Sequence, residues 1–270
     1  MVIKEHQGVT HYSFESPAFE SVTTFVTTRH NNYGDAPQQG NFNLGLYCGD
    51  DNSVVESNLQ LLATALGISR ESLYYPHQVH GHDVLVIDNT FTALPACDKA
   101  QQLDGVDAII TDVAGIAIAV TTADCVPVIL YDPVHRAIAA IHAGWRGTAQ
   151  DIVRHTLHAM QQHYGTQPCD VQAGIGPCIG QDAYEVGDEV VTALHDAGYS
   201  LEAIARRNPA TGKMHIDLAA ANADSLLRCG VDLMNIEVCG ICTHRNSDTF
   251  YSVRALGTTT GRFLTGVMMK

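Results

Sequence analysis

The chain has 270 residues, of which 46% are hydrophobic and 16% are charged, and its formal net charge is −14. This composition supplies enough apolar material for a large core and too little charge for a disordered chain. The negative charge argues against a non-specific nucleic-acid binder, because such a protein presents a basic surface. Small phosphorylated or nucleoside ligands held by local arginines stay compatible with it. We expect a single domain over residues 1–270, because no stretch resembles a linker.

The N-terminus and the cysteines indicate the compartment. Residues 1–12 contain Lys4, Glu5 and His6 where a signal peptide is apolar, and no run approaches the roughly 18 apolar residues of a membrane span. The eight cysteines have irregular spacings, unlike the disulfide frameworks of small secreted domains. We therefore expect a cytoplasmic protein with reduced thiols and no membrane association. We also expect a monomer with no nucleic-acid partner.

Hydrophobic periodicity and turn residues predict a mixture of strands and helices. Strands are predicted within 12–26, 84–87, 104–112, 115–122, 126–131, 136–141, 171–175, 235–239 and the C-terminal stretch 250–270. Helices are predicted over 53–66, 148–164, 182–197 and 215–228. Thr148 is the expected N-cap of the second helix, and 91–102 is expected to be a loop. The fold class is therefore α/β, with one mixed sheet sandwiched by helices.

The segment 27–53 is rich in Asn, Gly and Asp and is long for a connection. We interpret it as a functional loop in which Arg29 and Asn43 are candidates for ligand binding. The structural alternative is equally compatible with the sequence: Asn43 caps a turn and Arg29 is solvated.

The stretch from Thr121 to Thr148 is the centre of the predicted fold and contains two apolar strands joined by a short turn. If the turn is symmetric, Asp132 faces His135 and Cys125 lies directly opposite His142. Opposed residues of an antiparallel pair point to one face, with Cβ atoms about 4.5 to 5.5 Å apart. A thiolate and an imidazole at that distance can share a metal ion or a proton. An odd-length loop or a bulge would instead place them on opposite faces.

Three histidines, His77, His80 and His82, lie close together in the sequence. On a strand His80 and His82 would share one face and His77 would take the other. Each histidine alone is more typical of a surface or hydrogen-bonded residue, but imidazole is also the commonest neutral metal ligand. His80 could join Cys125 and His142, because two His and one Cys with an open fourth position make a catalytic zinc site. The spacings of 45 and 17 residues match no local finger motif, so only the fold can assemble these ligands.

Other features carry weaker signals. Cys239 and Cys242 form a lone CxxC followed by His244, and without a second pair at zinc-finger spacing they indicate strand packing more than a metal site. The sequence GIGPCIG at 174–180 lacks the GxGxxG spacing and predicts a tight turn. A helix start near Arg146 is suited to an anion, because its backbone N–H groups are free.

Six motifs in the chain are distinctive: HQVHG at 77–81, DGVDAIIT at 104–111, TADCVPVIL at 122–130, HAGWRGT at 142–148, GIGPCIGQDAYEVG at 174–187 and the C-terminal CTHRNSDTFYSVRALGTTTGR. Together they resemble the polyphenol oxidase, laccase-domain family, also called purine nucleoside phosphorylases of the laccase-domain type or peptidoglycan editing factors. The zinc-binding residues of the family correspond to His80, Cys125 and His142, the same three residues that the predicted hairpin and the histidine triplet suggest. One departure lies at 252–256, where SVRAL replaces the usual SYRR pattern and leaves Arg254 as the only arginine of the pair.

The resemblance implies an α/β/α sandwich like the catalytic domains of bacterial cytotoxic necrotizing factors. It also implies phosphorolysis of adenosine, inosine, guanosine and methylthioadenosine to a base and a pentose 1-phosphate, together with deamination of adenosine. The implied cofactor is Zn²⁺, with copper less favoured, and the implied ligands are purine nucleosides and phosphate. We predict His80, Cys125 and His142 as catalytic and metal-binding residues. The predicted substrate-binding residues are Arg29, Asn43, Gln78, Asp124 and Arg146.

These residue types suit the implied chemistry. Phosphorolysis passes through an electron-poor sugar, so phosphate must be fixed on one face while the departing purine is stabilised on the other. Arg146, the helix start beside it and Arg29 are the candidates for holding phosphate, and His80 or His142 for protonating the base. For deamination, zinc would lower the pKa of a water that attacks the purine ring.

Three other classes stay open. A copper-dependent polyphenol oxidase of the multicopper type needs repeated HxH pairs and a His-flanked Cys, whereas this chain has one HxH, His80 and His82, and no histidine beside Cys125. A thiol hydrolase with Cys125 as nucleophile and His142 as base would suit amide cleavage, including editing of a wrongly loaded peptidoglycan precursor. The third class is a non-catalytic binding protein stabilised by zinc.

Overall fold

The computed structural model describes residues 1–6, 8–30, 42–46, 48 and 50–270. Its strands are β1 (Val2–His6), β2 (Val9–Ser13), β3 (Val22–Thr27), β4 (Leu73–Tyr74), β5 (Val84–Ile87), β6 (Ala108–Thr111), β7 (Ala117–Thr122), β8 (Val126–Asp132), β9 (Ala137–Ala143), β10 (Gln172–Ile175), β11 (Glu185–Val186), β12 (Ala205–Arg207), β13 (Met214–Ile216), β14 (Ile236–Val238) and β15 (Phe263–Met269). Its helices are α1 (Asn52–Leu66), α2 (Asn89–Thr92), α3 (Ala96–Gln102), α4 (Trp145–Ala149), α5 (Ile152–Tyr164), α6 (Asp188–Asp196), α7 (Leu201–Ile204), α8 (Leu218–Arg228) and α9 (Val253–Leu256).

Two large mixed sheets contain most of these strands. The first has the strand order β1-β2-β3-β15-β7-β4 and the second has the order β14-β10-β8-β9-β6-β5. Neighbours are antiparallel except for β4 with β7 in the first sheet, and β5 with β6 and β10 with β14 in the second. A smaller sheet has the order β11-β13-β12. The mixed α/β class is confirmed, and the prediction of one sheet is wrong.

The two large sheets pack face to face. Their shared core includes Ile118 and Val267 from the first sheet and Ile129 and Ile138 from the second. Helix α1 covers the other face of the first sheet, and α5, α6 and α8 cover the other face of the second. The layers are therefore α/β/β/α, in place of the predicted α/β/α sandwich. Sequence periodicity could not separate the sheets, because strands buried on both faces read as the same continuous apolar runs.

The central hairpin β8–β9 differs from its predicted register by two residues. Pro127 pairs with His142 and Asp132 pairs with Ala137, so Cys125 does not lie directly opposite His142. A shift of two residues is even, and it keeps the side chains on the faces that were expected. Cys125 and His142 are consequently diagonal neighbours on one face.

The turn of this hairpin explains the register. The Asp132 carboxylate accepts hydrogen bonds from the backbone N–H groups of Val134 at 2.8 Å and His135 at 3.1 Å. Arg136 then adopts a positive φ of 53°, which returns the chain to β9. The loop thus has four residues and Asp132 belongs to the strand, whereas the sequence placed Asp132 and His135 as the first facing pair.

Several predicted elements are confirmed. Helix α1 starts after Asp51, whose side chain accepts from the Ser53 N–H, and it ends at Gly67 with a φ of 74°. Strands β5, β6, β7, β10 and β14 lie within or close to their predicted ranges. None of the helices in the described part of the chain is both long and apolar enough to cross a membrane.

The helix predicted over 148–164 is divided. Helix α4 ends at Ala149 and α5 begins at Ile152, because Asp151 between them has a φ of 61°. Thr148 lies inside α4 instead of at the N-cap, and its hydroxyl accepts a hydrogen bond from Asn222 Nδ2 at 3.1 Å. The apolar stripe of the predicted helix is confirmed, since its members are all buried: Ile152, Val153, Leu157 and Met160.

Two other helices begin later than predicted, because short strands use their first residues. β11 pairs with β13, so α6 begins at Asp188 and α8 at Leu218. The Asp217 side chain caps α8 by accepting the Ala220 N–H at 2.8 Å. Periodicity alone does not distinguish a two- or three-residue strand from the first turn of a helix.

Three stretches have a different secondary structure from the prediction. Residues 91–102 are largely helical, in α2 and α3, because Asp88 caps α2 with its carboxylate. The stretch after Phe250 forms α9, capped by Ser252, before the last strand. Residues 12–26 contain a 3₁₀ helix between β2 and β3. Of the functional loop predicted over 27–53, residues 31–41, 47 and 49 lie outside the described residues.

Candidate active site

The structure brings His80, Cys125 and His142 together. One potential ligand atom from each residue lies within 4.8 Å of the others. The rings of His80 and His142 meet edge to face with centroids 4.8 Å apart. His142 is buried, Cys125 is partly buried and His80 is exposed. Among the described residues this is the only group of three or more His, Cys, Asp or Glu able to hold a metal ion.

Unusual backbone conformations place two of the three side chains. His80 has a φ of 61°, and Asp124, directly before Cys125, has a φ of 97°. Non-glycine residues rarely adopt such angles, and they persist only where the surrounding structure holds them. His142 instead belongs to the regular strand β9. The cluster therefore joins one side chain on a regular strand to two side chains on loops with strained backbone conformations.

Glycines in the HAGWRG motif allow the close approach. A Cβ atom at Gly144 would lie 3.0 Å from His80 Cδ2 and 3.2 Å from Cys125 Sγ. A Cβ atom at Gly147 would lie 2.9 Å from the carbonyl oxygen of Gly81. Any larger residue at these two positions would push the His80 loop away from the hairpin.

Asp107 is a site residue that the sequence analysis missed. It is fully buried, and its Oδ1 lies 2.7 Å from His142 Nδ1. Burial by itself would raise the pKa of Asp107, but the hydrogen bond and charge of His142, together with backbone N–H groups, lower it overall. A carboxylate in the apolar sequence DGVDAIIT was the available signal, because an aspartate is almost never fully buried without a partner.

Cys125 and His142 form a mutually stabilised acid and base pair. Burial by itself would raise the pKa of the Cys125 thiol, but the charge and hydrogen bond of His142, aided by His80, lower it to about 6. Burial would likewise lower the pKa of His142, but Cys125 and Asp107 raise it to about 9. In the protein without a metal, neutral pH thus favours a thiolate beside an imidazolium.

The cluster opens into a cavity of about 940 Å³. This volume lies at the upper end of the range for small-molecule sites. Besides the cluster, its wall includes aromatic and charged side chains: Tyr74, Tyr75, Tyr184, Arg70, Lys99, Asp124, Arg254 and Arg262.

Two predicted substrate-binding residues, Gln78 and Asp124, lie on the cavity wall. The Gln78 amide is occupied by Thr121: Nε2 donates to its carbonyl at 2.8 Å, and Oε1 accepts from its N–H at 2.8 Å. Asp124 accepts from the Thr243 hydroxyl at 2.6 Å and from the Arg254 N–H at 2.8 Å. Both side chains hold the wall together, and their role toward a substrate stays a prediction.

The other three predicted substrate-binding residues do not line this cavity. Arg29 donates through Nη1 to the Ser247 carbonyl at 2.7 Å. Asn43 is fully buried, and its amide contacts Cys48, Asp50, Gly45 and Arg262. Arg146 is exposed and stacks on Trp145, with 4.3 Å from Cζ to the ring centroid. Their proposed contacts with substrate stay predictions.

The histidine triplet does not share a strand face, because residues 77–83 form no strand. His77 Nδ1 lies 2.6 Å from Asp104 Oδ1. His82 points elsewhere, with its Nδ1 2.6 Å from Gln150 Oε1 and its ring beside His155. The expectation that His80 and His82 face the same side of a strand is therefore wrong.

The CxxC cysteines pack beside a second cavity of about 320 Å³, together with Cys178. Cys242 Sγ accepts the Gly180 N–H at 3.1 Å, and Cys239 Sγ accepts the Ile241 N–H at 3.4 Å. In the described part of the chain these cysteines belong to no group that could hold a metal ion. Their geometry agrees with the packing interpretation.

Arg254 and Tyr184 are wall residues that the sequence analysis did not place there. Arg254 donates through Nη1 to the carbonyls of Ala183 at 3.1 Å and Glu185 at 3.2 Å, and its guanidinium lies over the Tyr184 ring. Both residues lie in motifs that resemble the family, but their positions in the sequence do not indicate that they lie near Cys125.

Fold and site together define a class of protein: a mixed α/β protein in which a central hairpin and a preceding loop place two imidazoles and one thiol at a large cavity. Such a donor set can hold one metal ion and leave a coordination position open. The family model described as multi-copper polyphenol oxidoreductase laccase matches residues 23–270. This chain therefore belongs to that laccase-like family, as the motifs indicated.

Relatives with enzyme names cover nearly the whole chain. A purine nucleoside phosphorylase of Bacteroides thetaiotaomicron is 40% identical over 252 residues, which span 93% of each protein. Adenosine deaminase RL5, from an unknown prokaryotic organism, is 43% identical over 251 residues, which span 93% of this chain and 95% of that protein. The crystal structure of YlmD from Geobacillus stearothermophilus has a TM-score of 0.87 at 33% identity and covers 99% of this chain and 98% of its own. These matches confirm the mixed α/β fold.

Proposed function

We propose that this protein is a zinc-dependent purine nucleoside phosphorylase. It would convert adenosine, inosine, guanosine and methylthioadenosine to a base and a pentose 1-phosphate, and would also deaminate adenosine. The observation that carries the proposal is the cluster of His80, Cys125 and His142 opening into a cavity of about 940 Å³. The names of two relatives, a purine nucleoside phosphorylase and an adenosine deaminase, support both activities.

The donor set fits Zn²⁺. Two imidazole nitrogens and one thiolate are common zinc ligands, and three protein ligands with an open fourth position characterise catalytic sites. The Nδ1 of His142 is engaged by Asp107, so Nε2 is the nitrogen available to a metal. When bound, zinc would supply a Lewis acid and lower the pKa of a coordinated water. Multinuclear copper is a poorer fit, because the described residues contain one such cluster.

The cavity wall supplies the remaining parts of the reaction. Arg254 and Arg262 lie on the wall, so we propose them as phosphate contacts ahead of Arg29 and Arg146. Tyr184 offers a flat aromatic surface on which a purine can stack. A ring nitrogen that binds a metal cannot also donate a proton. We therefore propose His80 and His142 first as metal ligands and only second as proton donors to the departing purine.

A thiol hydrolase is the second candidate, because one observation favours it. The pKa of Cys125 is lowered to about 6 while that of His142 is raised to about 9. A thiolate beside an imidazolium is the resting state of many cysteine nucleophiles. Such a pair would attack an amide carbonyl, as in a wrongly loaded peptidoglycan precursor.

The deciding experiment incubates the purified protein with adenosine and phosphate, separates the products and measures metal on the same sample. We expect stoichiometric zinc and the formation of adenine, ribose 1-phosphate and inosine. A chelator should abolish turnover and added Zn²⁺ should restore it. Chelator-resistant amide cleavage that a thiol alkylating agent abolishes would support the hydrolase instead. No turnover of nucleoside by the zinc-loaded protein would refute the phosphorylase.

A further inference from the structure

One buried carboxylate forms hydrogen bonds to both histidines of the cluster, to the ring of His142 and to the backbone of His80. Asp107 Oδ1 lies 2.7 Å from His142 Nδ1, and the same oxygen accepts the backbone N–H of His80 at 3.0 Å. The second oxygen, Oδ2, accepts the N–H groups of Gly81 at 2.7 Å and Val79 at 3.2 Å. Three consecutive amides of the His80 loop thus point at the carboxylate that also orients His142.

The backbone of Asp107 strengthens this link. Its carbonyl oxygen accepts the His142 N–H at 2.8 Å, and its own N–H donates to the Asp83 carbonyl at 3.0 Å. The residue directly precedes β6, which pairs with β9 in the second sheet. Asp107 is therefore fixed to the rigid sheet on one side and to the His80 loop on the other.

The His80 loop depends on such a support. His80 has a positive φ of 61°, a conformation that a non-glycine residue keeps only when its surroundings hold it. His80 is also exposed, so side-chain packing restrains it less than it restrains His142. The backbone N–H of His80 is held by its hydrogen bond to Asp107.

We propose that Asp107 is a positioning residue that sets both histidine ligands at once, the ring of His142 through Nδ1 and the loop of His80 through its backbone amides. The inference rests on the metal site of the proposed function and deepens it. Through Nδ1–H the carboxylate keeps His142 in the tautomer whose Nε2 has a free lone pair. Through the amides it brings His80 within reach of the same ion.

An asparagine at position 107 has nearly the same size as aspartate but would disturb both the orientation of the His142 ring and the hold on the His80 loop. Its amide group has one oxygen, so it can no longer accept the Nδ1–H and all three amides. If its NH₂ faces Nδ1, His142 takes the opposite tautomer and its Nε2 carries a proton. Removal of such an outer partner typically lowers metal affinity by about 10- to 100-fold.

The test is titration of metal-free protein with Co²⁺, whose thiolate charge-transfer absorption reports the Cys125 bond. We expect Asp107→Asn to bind Co²⁺ about 10- to 100-fold more weakly than wild type and with an altered absorption spectrum. The spectrum distinguishes a positioning role from a purely structural one. A folded variant in which the cluster is undisturbed would keep the wild-type spectrum, whereas a displaced histidine would change it. The matched control is Asp104→Asn, since Asp104 pairs with His77 Nδ1 at 2.6 Å but is exposed. The Co²⁺ affinity of Asp104→Asn should stay within about twofold of wild type, because an exposed ion pair contributes little.

A second variant keeps the proposal testable if Asp107→Asn does not fold. Asp107→Glu retains the charge and both oxygens but displaces them by one methylene, and we expect an intermediate loss of Co²⁺ affinity. Circular dichroism identifies the folded variants. Wild-type affinity and an unchanged spectrum in a folded Asp107 variant would overturn the inference while leaving the metal site intact. Failure of the wild type itself to bind Co²⁺ or Zn²⁺ would overturn the metal site, and this inference with it.

Discussion

Two regions of this protein hold cysteines that are partly or fully buried, and they differ in the charged groups around the thiols. Cys125 lies between His142 and His80, which lower its pKa to about 6 against the effect of burial. Around the smaller cavity, burial raises the pKa of Cys239 to about 11 and that of Cys178 well above its usual value. None of the described residues that line the smaller cavity is a histidine. Burial alone raises the pKa of a thiol and makes it inert. Adjacent imidazoles lower that pKa, so that the thiolate can bind a metal or act as a nucleophile.

The largest expected effect comes from removing a member of the cluster. If the proposed function is right, we expect Cys125→Ala, His80→Ala and His142→Ala each to reduce phosphorolysis on the order of 10²- to 10³-fold, because each would remove a ligand of the ion that stabilises charge in the transition state. Product separation after incubation with adenosine and phosphate measures the loss, and circular dichroism checks the fold. Cys239→Ala is the control from the other region and should retain turnover. Normal activity in any of the three cluster variants would contradict the site.

The second prediction concerns thiol reactivity in the metal-free protein. Only the thiolate is alkylated, so the rate at Cys125 should rise with pH through about 6 and level off above it. The rate at Cys239 should still be rising near pH 11. At pH 7 we expect Cys125 to react about 10²-fold faster than Cys239, because its larger thiolate fraction is partly offset by lower intrinsic nucleophilicity.

Peptide mass spectrometry after timed alkylation measures this contrast, with the exposed Cys97 and Cys169 as internal references. Bound Zn²⁺ should protect Cys125 and leave the other rates unchanged. Equal rates at Cys125 and Cys239 would show that the imidazoles do not activate the thiol.

The smallest effect is expected from adding one methyl group beside each thiol. In Gly144→Ala the new Cβ would lie 3.0 Å from His80 Cδ2 and 3.2 Å from Cys125 Sγ. In Gly180→Ala it would lie 3.1 Å from Cys242 Cβ and 3.2 Å from its Sγ. Both substitutions overpack a similar contact, so each should lower the free energy of unfolding by about 1 to 3 kcal/mol.

Activity should separate these two glycine variants. Gly144→Ala would push His80 and Cys125 apart and should lower turnover by roughly tenfold, because a misplacement of a fraction of an ångström weakens a preorganised site. Gly180→Ala should lower the melting temperature while turnover stays near wild type. A comparable loss of turnover in both variants would mean that the second region also takes part in the reaction.

The sequence predicted the hairpin residues well but not their alignment. Val126 to Tyr131 and the strand after Arg136 were identified from apolar runs and from turn formers, yet the register differs by two residues. The reason is local: the Asp132 side chain bonds two backbone amides of the turn, and Arg136 takes a positive φ. Register depends on such side-chain contacts in the loop, which hydrophobic patterning does not encode.

The cluster itself was predictable, and its supports were not. His80, Cys125 and His142 are residue types with metal chemistry, and the family motifs point to the same positions. Asp107 was not predicted, because an aspartate directly before an apolar run resembles a turn residue. The strand face predicted for His80 and His82 was wrong, because residues 78–83 form no strand and their backbone turns toward Asp107.

By itself the sequence determined the mixed α/β class, most of the buried strands, the family and the three residues of the cluster. Those features follow from residue type and short-range pattern. Only the tertiary structure decided that the strands divide into two stacked sheets, that Asp107 holds both histidines, and that Arg254 and Tyr184 face the cavity. These features depend on contacts between residues far apart in the chain, and such contacts form only when the buried faces of the sheets and helices pack against one another.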